Sequence, residues 1–211
     1  MGRSEKFFHV DRDSVLSVGA VLGLRPAQLG TQAETTFINQ FLPGGLCPWG
    51  EAMLGADPPL IMTVEGLDNN GLARRVQIAG ETGVWLDQAA QRSLRAGRNR
   101  LLEAFAEVVR QGCAPDKPSR LSCSFVYRAR DTAEMFRVNS GCPNAPIWLV
   151  EPQSAAIVHD GDSSWLGIPE TAGMLIQAML AYWDGATRPQ SLPTDRETLL
   201  PAPVTVIRRV A

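Results

Sequence analysis

Residues 120–127 read RLSCSFVY and lie between the two clearest helix signals of the central part of the chain. Its polar and apolar side chains alternate and it ends in phenylalanine, valine and tyrosine, a pattern that predicts a β-strand. A proline-bounded breaker, residues 115–118, precedes it. Asp131 follows as the N-cap of a short helix that holds Ala133 and Phe136. A strand with a helix directly after it therefore forms the middle of the predicted fold.

The segment before this strand gives the strongest helix signal in the chain. Asp87 suits the N-cap and Gly112 suits the C-terminal stop. Apolar side chains recur on one face, at Leu94, Leu101, Leu102, Phe105, Val108 and Val109. The opposite face is basic, with Arg92, Arg95, Arg98 and Arg100. A solvated helix face is the preferred interpretation, and contact with phosphates or an acidic partner is the alternative.

The N-terminal part begins with a short apolar strand, residues 7–10, which read FFHV. Thr31 and Glu34 have the spacing of a capping box and predict a helix that ends at Pro43. Its apolar side chains are Phe37, Ile38, Phe41 and Leu42. Residues 47–83 are rich in glycine and proline, which is typical of loops. The candidate strands within them are residues 60–64 and 72–78.

Two more strands are predicted after the short helix, which residues 139–146 bring to an end. They are residues 147–150 and 155–159, joined by a tight turn at Pro152 and Gln153.

The C-terminal part predicts one helix and one strand. Pro169 suits the first helical position and Gly185 the end of this helix. Its core candidates are Leu175, Ile176, Met179, Leu180 and Trp183. Residues 203–210 predict the last strand. Strands near both ends with helices between them, without a regular βαβ alternation, favour one α+β domain over residues 1–211.

Composition narrows the functional classes. The 211 residues carry a formal net charge of −2, which provides no general attraction to nucleic acid or anionic membranes. No apolar run approaches the roughly 18 residues of a membrane span, and the start of the chain lacks the apolar core of an export signal. The sequence thus predicts a soluble, cytoplasmic protein, and delivery into another cell by a signal-independent route stays open.

A metal site is not expected from the cysteines and histidines. The cysteines, which form no C-x-x-C pair, are Cys47, Cys113, Cys123 and Cys142. Only His9 and His159 could complement them as ligands, so partly buried free thiols are the preferred interpretation.

The common catalytic motifs are missing from the sequence. It contains no G-x-S-x-G, no P-loop, no H-E-x-x-H and no glycine-rich dinucleotide fingerprint after a strand. Residues 159–164 read HDGDSS and offer the residue types of a serine hydrolase. Adjacent positions on one loop cannot readily align nucleophile, base and orienting acid, so this assignment is disfavoured.

Three separated segments carry a resemblance to a known family. They are the early strand FFHV with His9 at its centre, the middle segment SRLSCSF at residues 119–125, and DRETLLP at residues 195–201, which leads into the final strand. In this order they resemble the ADP-ribosyltransferase superfamily of bacterial effectors, toxins and modifying enzymes. Tyr182 and Trp183, followed by Gly185, are similar to bacterial members as well.

The resemblance implies a split β-sheet fold that binds NAD, used as a substrate, in a cleft between the two halves. Glu197 is then the catalytic residue, because a fixed carboxylate stabilises the oxocarbenium-like charge that forms on ribose as nicotinamide leaves. His9 would donate a hydrogen bond to the adenosine-side ribose. Ser122 or Ser124 would position the nicotinamide ribose or support the glutamate, and Phe125 would stack on nicotinamide.

Two positions depart from the family pattern. Many members have Glu or Gln two residues before the late glutamate, where this chain has Asp195. The middle motif reads Ser122, Cys123, Ser124, where many toxins carry Ser-Thr-Ser. The acceptor of ADP-ribose and the choice between the two serines therefore stay open.

The resemblance and the residues lead to three hypotheses. The first is an ADP-ribosyltransferase that modifies a protein, a nucleic acid or a small molecule, with an immunity protein or antitoxin as an expected partner if it is a toxin. The second is a module of the same fold that binds NAD, ADP-ribose or a nucleic-acid end without turnover. The third is a partner-binding protein that uses the arginine face of the helix over residues 87–111.

Overall fold

The computed structural model describes residues 5–26, 32–42, 44–54, 75–78, 81–84, 88–153, 156–167 and 172–211. The strands are β1 (Phe7–Val10), β2 (Val21–Leu22), β3 (Arg75–Ile78), β4 (Glu81–Val84), β5 (Cys123–Val126), β6 (Ile147–Pro152), β7 (His159–Asp162), β8 (Arg196–Pro201) and β9 (Val204–Arg209). The helices are α1 (Gln32–Phe41), α2 (Pro48–Leu54), α3 (Gln88–Cys113), α4 (Arg130–Asn139) and α5 (Ala172–Trp183).

The strands that the structure describes pair antiparallel in two main sheets and one ribbon. One sheet has the order β1-β6-β9-β2 and the other the order β5-β8-β7, while β3 and β4 form the ribbon. Helices α3 and α5 pack on one face of the sheet of β5, β8 and β7, and α4 packs against β1, so the helices do not alternate with parallel strands. The architecture is α+β, as the sequence predicts.

The two main sheets meet where β1 lies beside β5. Phe8 and Tyr127 exchange both backbone hydrogen bonds, each 2.8 Å long, and form an isolated antiparallel bridge. Within the described part of the chain this is the one backbone pair that joins the two strands. We call the boundary between β1 and β5, from the Phe8–Tyr127 bridge to His9 and Phe125, the seam.

The sheet of β5, β8 and β7 is buried on both faces. Cys123 and Leu199 face α3 and α5 and pack against Met179. Val126 and Leu200 face the other way, in a core that the two sheets share with Phe7 and other residues of β1, β6 and β9. Since side chains alternate along a strand, Glu197 points to the same helix-covered face as Leu199.

Several predicted elements are confirmed, and others lie outside the described residues. The early strand over residues 7–10 is β1, and the last strand is β9. The helix α1 matches the capping-box prediction, and Gly185 follows α5 with a positive φ of 72°. Outside the described residues lie Thr31, residues 60–64, Asp87 and Pro169.

Two strand predictions in the middle of the chain are wrong in extent or pairing. The strand predicted over residues 120–127 begins at Cys123, because the Ser119 side chain caps a 3-10 turn, Arg120–Ser122, by accepting from the backbone N–H of Leu121. The second strand of the pair predicted over residues 147–150 and 155–159 begins at His159 as β7 instead of ending there. It is also not paired with β6, since β6 pairs with β1 and β9 whereas β7 pairs with β8.

The predicted helix faces and ends also need correction. Helix α3 continues to Cys113, so Gly112 does not stop it. Leu101 and Val108 are more than half exposed, because Leu102 and Val109, one position further round the helix, take the buried face. Helix α4 is capped at Ala129, and Asp131, the predicted N-cap, lies in its first turn. Ile176, a predicted core residue of α5, is exposed. Residues 196–201 form a strand of their own, β8, before the last strand.

Candidate active site

A buried arginine organises a cluster of side chains beneath the sheet of β5, β8 and β7. Arg120 lies on the 3-10 turn before β5 and is 5% exposed. Its Nε donates to Oε2 of Glu103 at 2.8 Å, and its Nη2 donates to Oε1 of the same carboxylate at 2.9 Å. This two-point pairing between the turn and α3 fixes the plane of the guanidinium group.

The remaining nitrogen of Arg120 reaches two further groups. Nη1 donates to the hydroxyl of Tyr182, 2.6 Å away, and to Oε1 of Glu197. The Tyr182 hydroxyl in turn donates to Oε1 of Glu197 at 2.8 Å. Glu103, Arg120, Tyr182 and Glu197 thus form one hydrogen-bonded group, named here the arginine cluster, which joins the turn before β5, α3, α5 and β8.

Aromatic rings surround the guanidinium group. Its carbon lies 4.8 Å from the centroid of the Phe125 ring and 5.1 Å from that of Tyr182, both within the range of cation–π attraction. Trp49 of α2 meets Phe125 edge to face, with centroids 5.8 Å apart. The Nε1 of Trp49 is buried and finds no hydrogen-bond partner among the described residues. Phe125 therefore links the arginine cluster to α2.

Burial dominates the electrostatics of Glu197. Its side chain is 12% exposed. Burial raises the pKa of this carboxyl above its ordinary value, and the charge of Arg120 and the hydrogen bond from Tyr182 oppose that rise. Two carboxylates share one guanidinium cation in the cluster, so the charge of Arg120 compensates only one of them in full. A proton on Glu197 is consequently held more tightly than on an exposed glutamate.

His9 lies at the seam. Its Nδ1 is 3.0 Å from the backbone carbonyl oxygen of Phe125, which can only accept, so Nδ1 carries the proton of this hydrogen bond. Burial lowers the pKa of His9, against the opposing effect of this bond. In the neutral ring Nε2 is then an acceptor. The imidazole is set to accept a hydrogen bond at Nε2 rather than to donate one, in contrast to the role expected from the resemblance.

The two candidate serines take different positions. Ser122 donates its hydroxyl to the carbonyl oxygen of Gly45 at 2.8 Å and so ties the 3-10 turn to the loop before α2. Ser124 is half-buried in β5, opposite Leu200. Its side chain points to the face of the sheet opposite that of Phe125, because neighbouring residues of a strand alternate. The structure brings Phe125 and Glu197 together through Arg120 and leaves both serines outside this cluster.

Asp195 lies in the 3-10 turn before β8, and the HDGDSS segment consists of strand β7 followed by a 3-10 turn that begins at Ser163. The carboxylate of Asp195 accepts from the backbone N–H of Leu192 at 2.8 Å, which closes the turn before β8. Asp162 accepts from the Ser164 hydroxyl at 2.6 Å, and His159 lies 3.1 Å from the carbonyl oxygen of Tyr182 instead of a serine. The described contacts therefore do not build a serine-hydrolase triad from this segment.

Sequence reasoning missed three members of the arginine cluster. Glu103, Arg120 and Tyr182 were not proposed as site residues, although the last two lie in motifs already singled out. A usable signal was present in α3: Glu103 and Glu107 are four residues apart and lie beside Leu102 and Ala106 on the apolar face. Acidic residues on an apolar helix face require buried partners, and an arginine is the usual one.

The predicted arginine face of α3 consists of side chains that the structure does not describe. The side chains of Arg92, Arg95, Arg98 and Arg100 lie outside the described part of the structure. Among the residues that are described, no group of three or more His, Cys, Asp or Glu side chains is arranged to hold a metal ion. None of the described helices combines the length and the apolar composition needed to cross a bilayer.

Comparison with protein-family models and with curated proteins found no match for this chain.

Proposed function

We propose that this protein is an NAD-dependent ADP-ribosyltransferase in which Glu197 is the catalytic residue. The observation that carries the proposal is the seam: an early-strand histidine, His9, is hydrogen-bonded to the middle strand at Phe125, and the late-strand glutamate lies on the same sheet face as Phe125. These are the strands from which the resembling family draws its NAD-binding residues.

The order of the strands adds support. Among the described residues, a sheet of three strands and a sheet of four strands meet at one bridge, Phe8 with Tyr127, between β1 and β5. Such a division agrees with the split sheet that the resemblance implies. NAD is placed by this proposal at the seam, with the adenosine-side ribose near His9 and the nicotinamide ribose near Glu197.

The reaction follows from the chemistry of the glycosidic bond in NAD. The bond between C1′ of ribose and the pyridinium nitrogen breaks, and its electron pair stays on nicotinamide, which leaves as a neutral molecule. The ionised carboxylate of Glu197 stabilises the positive charge on the ribose. A nucleophilic atom of the acceptor then bonds to C1′ and releases its proton to water or to a base.

Incubation with labelled NAD tests the proposal. The wild type is expected to release nicotinamide, and to transfer label to a lysate component if the acceptor is macromolecular. Glu197→Gln should lower the rate by roughly 10²- to 10³-fold, the scale on which loss of one charge-stabilising group acts. Glu151→Gln, on the strand β6, is the matched control and should keep the wild-type rate. Equal rates in wild type and Glu197→Gln would remove this carboxylate from the mechanism.

A module that binds NAD or ADP-ribose without turnover is the second candidate. It is favoured by one observation: Oε1 of Glu197 is already engaged by Arg120 and Tyr182, as in a structural ion pair. Calorimetry with NAD separates the candidates. A binder gives heat of association with no nicotinamide release over hours, whereas the transferase or an NAD hydrolase releases nicotinamide.

A further inference from the structure

We propose that Arg120 is the positioning residue of Glu197: with the Tyr182 hydroxyl it holds Oε1, and this leaves Oε2 for the ribose of NAD. The inference rests on the proposed function and deepens it. Arg120 does not touch the substrate in this scheme. Its role is to fix the orientation of the carboxylate that does.

The first argument is the confinement of the guanidinium group. Two of its nitrogens are bound to Glu103, and the rings of Phe125 and Tyr182 lie close to its carbon. One nitrogen, Nη1, is left to point at Glu197. Because a planar group with two fixed nitrogens cannot rotate, the direction of Nη1 is fixed as well.

The second argument is the kind of group that accepts hydrogen bonds from Arg120. Every described hydrogen bond of the Arg120 guanidinium group ends on a side chain: Glu103, Tyr182 or Glu197. A neighbouring pair on α3 behaves differently, since Arg110 bonds to Glu107 and also to the backbone carbonyl oxygens of Pro115 and Lys117.

The neighbouring pair therefore secures a loop, whereas Arg120 fixes side chains. Burial of an ion pair costs desolvation and is weak evidence for a gain in stability. Arg120 is 5% exposed and binds a second carboxylate, that of Glu197, through one oxygen. This arrangement is better explained by a role in orienting the Glu197 carboxylate than by a gain in stability.

The third argument is the charge around Glu197. Among the described residues, the groups that interact electrostatically with Glu197 are Arg120 from the 3-10 turn, Glu103 from α3, Tyr182 from α5 and Tyr127 beyond β5. The charge of Glu103 raises the pKa of Glu197, while Arg120 and the Tyr182 hydroxyl lower it. Removal of either of the two favourable partners is expected to move the acid limb of activity to higher pH, because the reaction needs the ionised carboxylate.

From β7, the imidazole of His159 lies beside this cluster, with its ring centroid 5.4 Å from that of Tyr182. Burial lowers the pKa of His159, so the imidazole is neutral near pH 7 and adds no charge there. Because His9 and His159 are the same in the wild type and in Tyr182→Phe, a shift of the acid limb between these two proteins is assigned to Glu197.

The test measures kcat, KM for NAD and the pH profile of nicotinamide release in three variants. Tyr182→Phe keeps the buried ring and removes only the hydroxyl. Arg120→Lys keeps the charge and removes the two-point pairing with Glu103. Arg110→Lys, which perturbs the neighbouring pair, is the matched control.

Tyr182→Phe should lower kcat about tenfold with KM nearly unchanged, and its acid limb should lie at higher pH than that of the wild type. Arg120→Lys should lower kcat more strongly. Arg110→Lys should reduce thermal stability and leave kcat and the acid limb unaltered. A carboxyl-carbon NMR titration of Glu197 gives a readout independent of NAD, and its pKa should be higher in Tyr182→Phe.

The possible failures are distinguishable. If the wild type turns over NAD and Tyr182→Phe keeps the wild-type kcat and acid limb, the positioning role is refuted while the proposed function stands. If the wild type releases no nicotinamide, the proposed function fails and this inference with it. If Arg120→Lys does not fold, the Tyr182→Phe result and the NMR titration decide the matter.

Discussion

A methyl group on Gly161 would lie 2.4 Å from Cε2 of Tyr182, so the backbone of β7 packs directly against this ring. Gly161 also pairs with Glu197 across β7 and β8. The one glycine therefore supports both the tyrosine that donates to Glu197 and the strand that carries Glu197. Any side chain here must displace the ring or the strand, because the ring is fully buried.

Gly161→Ala is expected to destabilise the protein by about 1–3 kcal/mol, the usual cost of overpacking a core. The displaced ring should also weaken the hydrogen bond from Tyr182 to Glu197, so nicotinamide release should fall with stability. Chemical denaturation and the NAD assay measure the two effects. Gly167→Ala is the control, since a methyl group there meets nothing within 4 Å. Equal stability of the two variants would show that Tyr182 can move without cost.

The stability of the protein should depend on pH through Glu197. Its pKa in the folded state is raised above the ordinary 4.5, so the folded chain binds this proton more tightly than the unfolded chain. The resulting stability is present below pH 4.5 and is lost as the pH rises through the raised folded-state value. Glu197→Gln cannot lose this proton. Denaturation from pH 4 upward should therefore show the wild type losing stability relative to Glu197→Gln.

Asp160 is a reference within the same protein, because folding lowers its pKa whereas folding raises the pKa of Glu197. Burial raises its pKa, but hydrogen bonds from Arg128 and Thr198 outweigh burial and lower the pKa below its ordinary 3.8. Its contribution to stability is present above that value and is lost in acid. If the stability of the wild type relative to Glu197→Gln rose with pH instead of falling, this result would contradict the raised pKa of Glu197.

Much of the fold could be predicted from the sequence because local signals and burial agree. Residues 7–10 are a short apolar run and form β1, and Gly185 ends α5 with the positive φ that glycine adopts easily. Pairing between strands could not be predicted. The strands β6 and β7 lie close in the sequence but in different sheets, because long-range packing overrides proximity along the chain.

The candidate active site, like the fold, could be predicted only in part from the sequence. The sequence singled out Glu197, and the structure places its carboxylate in a buried, hydrogen-bonded cluster. It did not reveal Glu103 or Arg120 as partners, since they are 17 residues apart along the chain and meet only when α3 packs on the 3-10 turn. A buried ion pair is a property of tertiary structure, and no local pattern of charges specifies it.

Exposed and buried ion pairs should differ in their contribution to stability. Arg128 contacts Asp160 and Glu5 with all three side chains more than a third exposed. Arg128→Ala should cost at most about 1 kcal/mol, and less in high salt. Arg120→Met leaves two buried carboxylates without their cation and should cost about 3–5 kcal/mol. Urea denaturation of both variants at low and high salt checks this, and similar costs would mean that Arg120 is screened by water.

Two substitutions of His9 separate the role of Nδ1, which bonds to Phe125, from the proposed role of Nε2, which is contact with the ribose of NAD. Asparagine can place an amide nitrogen near the position of Nδ1 and keep the hydrogen bond to Phe125, but it offers nothing at the position of Nε2. Glutamine reaches the position of Nε2 with an amide oxygen and loses the bond at Nδ1. His9→Asn should therefore keep most of the stability and raise KM for NAD by about two- to tenfold, the scale of one neutral hydrogen bond.

His9→Gln is expected to show the reverse pattern, with about 1 kcal/mol lost in stability and a smaller change in KM. The pH dependence provides a further check. Because burial lowers the pKa of His9 below 6.5, the unfolded chain takes up a proton first as the pH falls, and the wild type loses stability below that pH. Both variants lack this proton, so their stability should fall less over the same range. A raised KM in His9→Gln with unchanged KM in His9→Asn would mean that the imidazole serves the seam through Nδ1 and not the ribose through Nε2.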